Sequence, residues 1–75
     1  MKNWQERISI DPNIRFGKPC IKDTRIALVD IFSWLSSGMS NEEILEDFPE
    51  LVLDDIKAAL AYAAHREEVI KIVAA

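Results

Sequence analysis

One cysteine and one histidine stand among these 75 residues. Cys20 has no partner for an intrachain disulfide, which fits a reducing compartment, so a cytoplasmic protein is expected. A zinc site needs several such ligands, and they are not here. Glycine is almost as scarce, with two residues. No Walker loop or dinucleotide fingerprint can therefore be assembled, nor can a Ser-His-Asp set. Without such a constellation, neither an enzyme nor a cofactor is expected. No apolar run approaches the roughly 18 residues of a membrane span. The first residues, Met1 to Ser9, carry charges without an apolar stretch, so no secretory leader is expected either.

What is present is a globular composition, 49% apolar and 29% charged. The length suits one domain, residues 1–75, close to the lower limit for a self-sufficient core. Many apolar side chains must then lie near the surface, which favours a homodimer or a permanent partner. The net charge of −4 is unevenly spread. Residues 1–25 hold six basic side chains against three acids, whereas residues 26–75 hold three against ten. Two surfaces of opposite sign are expected.

Residues 1–6 read as a loose lead-in, anchored only if Trp4 finds an apolar groove. A β segment over residues 7–26 follows. Arg7-Ile8-Ser9-Ile10 alternates like a half-buried strand, and Asp11-Pro12-Asn13 is a turn by chemistry. Ile14-Arg15-Phe16 suggests a second extended piece, ended by Gly17-Lys18-Pro19. Cys20 to Ile26 suggests a third, bent near Asp23. Residues 27–74 then change period. Leu28, Ile31, Phe32 and Leu35 recur at helical spacing, and Gly38 supplies a left-handed helix end. Trp34 lies off that stripe, at an edge or towards a partner.

Ser40 and Glu43 fit a capping box that opens a short helix to Asp47. Pro49 stops it, because proline removes a ladder donor and pushes Phe48 out of the helical region. A last helix is expected from Leu53 onward, with Ile56, Leu60, Ala63 or Ala64, Ile70 and Val73 along one side. Its alanines, Ala58 to Ala64, allow close approach of a neighbour. Val52 stands where a polar cap is usual, and Asp54 and Asp55 favour the helix start through its dipole. The apolar end, Val69 to Val73, suits either a covering helix end or a partner-binding extension. The fold expected is mainly α: a three-helix, homeodomain-like or winged-helix-like helix-turn-helix domain behind a short irregular β segment.

A helix-turn-helix unit raises DNA binding, which needs a basic surface. Arg15, Lys18, Lys22 and Arg25 are candidates for it. Equally, Arg25 pairs with Asp30 or Asp23 and the lysines are only solvated. Asp54 and Asp55 at the start of the second helix of the unit would be repelled by phosphate. Cys20, between Pro19 and Ile21, reads as a small buried hydrophobe, and His65 as a solvated residue. Glu42, Glu46 and Asp47 read as a solvated face.

The segments ISIDPNIRFGKPCIKDTRI, SSGMSNEEILEDFPEL and DDIKAALAYAA resemble the domain-of-unknown-function family numbered four hundred and thirty-three, over about residues 7–64. Asp23, Ala27 and Val52 depart from the family's usual Gly, Pro and Thr or Ser. The resemblance implies a small helix-turn-helix protein similar to VapB-type antitoxins. Such a protein would be a type II antitoxin that neutralises a PIN-like ribonuclease toxin and represses its own operon. The alternative is a stand-alone DNA-binding regulator. Under the antitoxin reading, the acidic second half would face a basic nuclease, with Tyr62, Val69, Ile70 and Ile72 as apolar anchors. Operator DNA would fall to Arg15, Lys18, Lys22 and Arg25.

Overall fold

Three helices and a two-stranded antiparallel sheet make up the fold in the computed structural model, which describes the backbone of residues 1–74 and the side chains of residues 1–68. Strand β1 is Ile8–Ser9 and strand β2 is Cys20–Ile21, with Ile8 opposite Ile21 and Ser9 opposite Cys20. Cys20 also bridges to Ala27. The strand segments bury Cys20 and Ile21 against the helices.

Helix α1, Leu28–Ser36, ends where Gly38 takes φ +100°, the left-handed value its sequence position suggests. Helix α2, Asn41–Asp47, opens on the expected reciprocal box. The Glu43 amide donates to Ser40 Oγ at 3.1 Å, and the Ser40 amide donates to Glu43 Oε1 at 3.0 Å. These contacts, the backbone amide first, hold the Glu43 carboxyl below the usual glutamate range. After the corner at Phe48–Leu51 comes helix α3, Leu53–Ala74. Among the described residues, no helix is long and apolar enough to cross a membrane.

The core is a single cluster: Ile21, Ile26 and Leu28, Ile31 from α1, Ile44 from α2, then Leu51, Ile56 and Ala59. Ala58 and Ala59 are fully buried, as close approach of neighbouring elements requires. Trp34 takes the edge position and stacks on Phe48, with centroids 4.0 Å apart and planes at 13°, which ties α1 to the corner.

Three expectations need correction. The first residues are not a loose lead-in: Trp4–Arg7 forms a 3-10 turn lying against α3, because Trp4 finds Tyr62 edge-on at 6.1 Å. Of Ile14–Phe16 only Ile14 is extended; Arg15–Gly17 forms a second tight turn. Leu60 does not join the buried face and is 49% exposed. The buried stripe of α3 runs from Ile56 through Ala59 towards Tyr62, in steps of three, and leaves Leu60 on the outer side.

Candidate partner-binding surface

Among the described residues, the longest-range side-chain hydrogen bonds start from two arginines in the N-terminal segment and end at helix starts. Ala27, which caps α1, has no side-chain oxygen to offer, so its own amide donates to Asp30 Oδ2 at 3.0 Å. Arg15 grips the same carboxylate through Nη1 at 2.8 Å and Nη2 at 3.4 Å, and Nη1 also donates to the Arg25 carbonyl at 2.9 Å. The Arg15 hydrogen bond, seconded by the Ala27 amide against the opposing effect of burial, holds the Asp30 carboxyl below its usual range. The same hydrogen bond raises the Arg15 guanidinium further.

Helix α3 starts in the same way. Val52 lacks a capping oxygen, and its amide donates to Asp55 Oδ2 at 2.9 Å. Arg7 Nη1 donates to Asp55 Oδ1 at 3.1 Å, while Nη2 stands 3.5 Å from Asp54. Asp55 is 6% exposed, so its charge is kept inside by these partners. The carboxylates at the head of α3 thus serve an internal contact with the N-terminal turn.

The four candidate DNA contacts fall in different places. Arg15 is committed to Asp30, a partner the sequence reading had considered for Arg25. Lys22 and Arg25 line one shallow depression, and Asp11 and Asp23 share it. Lys18 lines a separate groove with Tyr62 and Arg66. Arg15 nonetheless lies beside two of the others, donating to the Arg25 carbonyl at 2.9 Å and sharing the Asp30 carboxylate with the nearby charge of Lys18. Tyr62, a candidate partner anchor, is half-buried between the core and Trp4. The other anchors, Val69, Ile70 and Ile72, lie outside the described side chains.

One exposed residue escaped the sequence reading. Phe16 is 97% exposed. Its backbone and its neighbours' are left-handed in succession, with φ 50° at Arg15, 59° at Phe16 and 81° at Gly17. Left-handed conformations cost L-residues roughly 1–2 kcal/mol each, and only glycine is spared. Full burial of a phenylalanine would be worth roughly 1.5–3 kcal/mol, which this position forgoes. The turn is held by several contacts at once. Ile14 donates to the Asp11 carbonyl at 2.9 Å, Gly17 to Ile14 at 3.1 Å and Lys18 to Arg15 at 3.1 Å. The Asn13 amide donates to Asp11 Oδ1 at 2.9 Å, and Arg15 is pinned by Asp30. Strain of this kind persists only where the surroundings over-determine it. The one sequence signal was Gly17 directly after an aromatic.

With this geometry in place, the relatives of the chain can be described. The family described as "Protein of unknown function (DUF433)" matches residues 8–63. The chain belongs to the DUF433 family. Its match begins at β1 and ends just after Tyr62, so it takes in both Arg–Asp helix starts except for Arg7. A crystal structure of a DUF433 member protein from Anabaena variabilis ATCC 29413 is similar, with a TM-score of 0.78 and 28% identity, covering 95% of this chain and 71% of that one. An uncharacterized protein, y4eO, from Sinorhizobium fredii is 32% identical over 59 residues. That stretch is 79% of this chain and 27% of y4eO, so this DUF433 chain spans about a quarter of that relative's length.

Proposed function

We propose that this DUF433 chain acts by binding another protein, as the antitoxin of a PIN-like ribonuclease, with Phe16 as a contact residue. The observation that carries the reading is the presentation of Phe16: an aromatic side chain held in solvent by a strained, multiply bonded turn. Aromatic residues, phenylalanine among them, are enriched at the buried centres of protein interfaces. The acidic outer face of α2, with Glu42, Glu46 and Asp47 exposed, supplies a charge complement for a basic nuclease. A cytoplasmic site of action goes with this reading.

The homeodomain-like or winged-helix-like assignment is part of the proposal, supported by the short corner between α2 and α3 behind a small β ladder. The stand-alone DNA-binding alternative is less favoured. A recognition helix meets DNA through its N-terminal residues, and the start of α3 carries the exposed carboxylate of Asp54 and the Asp55 carboxylate held by Arg7.

The test is co-expression with a PIN-like reading frame adjacent to the gene. Co-purification of the two chains and loss of ribonuclease activity in the complex are expected. Phe16→Ser should abolish both without unfolding the chain. A complex that forms equally well with Phe16→Ser removes the role of this residue. An adjacent nuclease that neither binds nor is inhibited removes the antitoxin reading.

A further inference from the structure

A groove of about 420 Å³ opens where the approach to β2 meets α1 and α3. Its apolar lining includes Leu28, Val29, Phe32 and Tyr62, and its charged lining is Lys18 and Arg66. Leu28 is 2% exposed and forms a fixed base, whereas Val29 is 47% exposed and open to an occupant. The volume lies within the range of small-molecule pockets, roughly 300–1,000 Å³.

The charges decide what kind of occupant fits. The chain as a whole is acidic, at −4, yet among the described residues this groove is lined by two cations and no carboxylate. Among the described residues, neither Lys18 nor Arg66 has a carboxylate within 4.0 Å, the ion pairs being those of Arg7 and Arg15. Lys18 lies near enough to Asp30 to help lower its pKa, but that carboxylate is already held by Arg15 and the Ala27 amide. An arginine fork and a lysine ammonium left free beside apolar walls match an anionic head on an apolar body.

We propose that this groove binds a small amphipathic organic anion, its apolar body against Val29, Phe32 and Tyr62 and its anionic head between Lys18 and Arg66. The proposal does not rest on the antitoxin reading. Lys18 closes the Phe16 turn through its backbone amide and Tyr62 is an anchor considered there, but the groove stands on the Lys18 and Arg66 charges and its apolar walls, not on Phe16 or the acidic face of α2. Its elements are also fixed in place. Leu28, Val29 and Phe32 share one helix whose start is pinned by Arg15, and Tyr62 and Arg66 are one turn apart on α3.

The experiment is an NMR titration of the full chain with decanoate below its micelle concentration, using decanol and decyltrimethylammonium as neutral and cationic controls. Saturable 1:1 shifts are expected at the Leu28 and Val29 methyls and the Phe32 and Tyr62 rings, with decanoate tightest and the cation weakest. The double variant Lys18→Gln, Arg66→Gln changes two exposed side chains. It should weaken decanoate by about ten-fold or more, the scale of a lost charge-assisted contact. Decanol should be left within about two-fold, since apolar burial alone holds it. Retained decanol binding also shows that the groove has survived the substitutions. Val29→Trp, which fills the groove from its open side, should abolish binding of both. Absence of saturable shifts, shifts centred on Leu60 or Phe16 instead, equal binding of the cationic amphiphile, or an unchanged decanoate affinity in the double variant would each overturn the proposal.

Discussion

Asp30 accepts from both the Ala27 amide, three residues earlier in the chain, and the Arg15 guanidinium, fifteen residues earlier. One carboxylate therefore closes the start of α1 and fastens the Phe16 turn to it. Because Arg15 holds this carboxyl below the ordinary aspartate value of 3.8, its contribution to stability has a defined pH window. The contribution is fully present above that ordinary value and is lost as pH falls through the lowered folded value. Thermal unfolding followed between pH 2 and 6 should therefore show the wild type losing its advantage over Asp30→Asn as acid is added. Parallel curves for the two proteins would count against the pairing.

Asp55 and Asp54 separate a buried from an exposed carboxylate on the same helical turn. Asp55→Ala leaves the Val52 amide and Arg7 without their acceptor, and should cost roughly 1–3 kcal/mol, the penalty for an unsatisfied buried polar group. Asp54→Ala removes a 3.5 Å contact at a half-exposed side chain and should cost under about 1 kcal/mol. Urea unfolding of the two variants checks the order.

Phe16 and Gly17 should respond in opposite ways. Phe16→Ser removes an exposed ring and should leave stability within about 0.5 kcal/mol of wild type. Gly17→Ala places a Cβ at φ +81° and should cost about 1 kcal/mol or more, although 3.8 Å to the Pro12 Cα leaves room for it. Equilibrium denaturation distinguishes them. A loss with Phe16→Ser as large as with Gly17→Ala would mean that the ring packs on its own chain.

Trp4→Ala should release the N-terminal turn without unfolding the core. The ring meets Tyr62 at 87° and lies 5.7 Å from His65, an arrangement worth roughly 0.5–1.5 kcal/mol beyond area burial. Faster amide exchange at Glu6 and Ile8, with Ile44 and Ile56 still protected, is the expected pattern.

Ile44→Ala tests the centre of the core. Ile44 is fully buried between α2 and the rest of the cluster, and its truncation should cost roughly 2–5 kcal/mol. In a domain this small, that is enough to populate the unfolded state at room temperature, which circular dichroism would register.

The helices were legible in the sequence because their signals are local. The Ser40–Glu43 box, the Gly38 end and the Pro49 stop each act within a few residues, and the structure bears each of them out. The bend at Asp23 was also legible, and it takes φ +64°. What the sequence hid depends on contacts between distant residues. Arg7 reaches across 48 positions to Asp55, and no periodicity reports such a pairing. For the same reason Arg15 looked like a free cation beside Lys18. Phe16 looked like a strand residue because its β-propensity is high, whereas the surrounding turn dictates its conformation. Part of the charge asymmetry is used within the fold, with Arg7 and Arg15 set against acids of the second half.

Helices α1 and α3 both begin at a residue with no oxygen of its own, Ala27 and Val52, and both depend on an aspartate three positions on that an upstream arginine steadies. Neither helix can nucleate at full strength by local interactions alone. Segments 1–9 and 10–19 must dock before the amides at these two starts are fully provided for, which makes folding cooperative over nearly the whole chain. A fragment beginning at Cys20 would retain every core isoleucine except Ile8 and still lack what fixes where its first and last helices begin. Frayed starts at Leu28 and Leu53, and a broad, weakly cooperative thermal transition, are the consequence to look for.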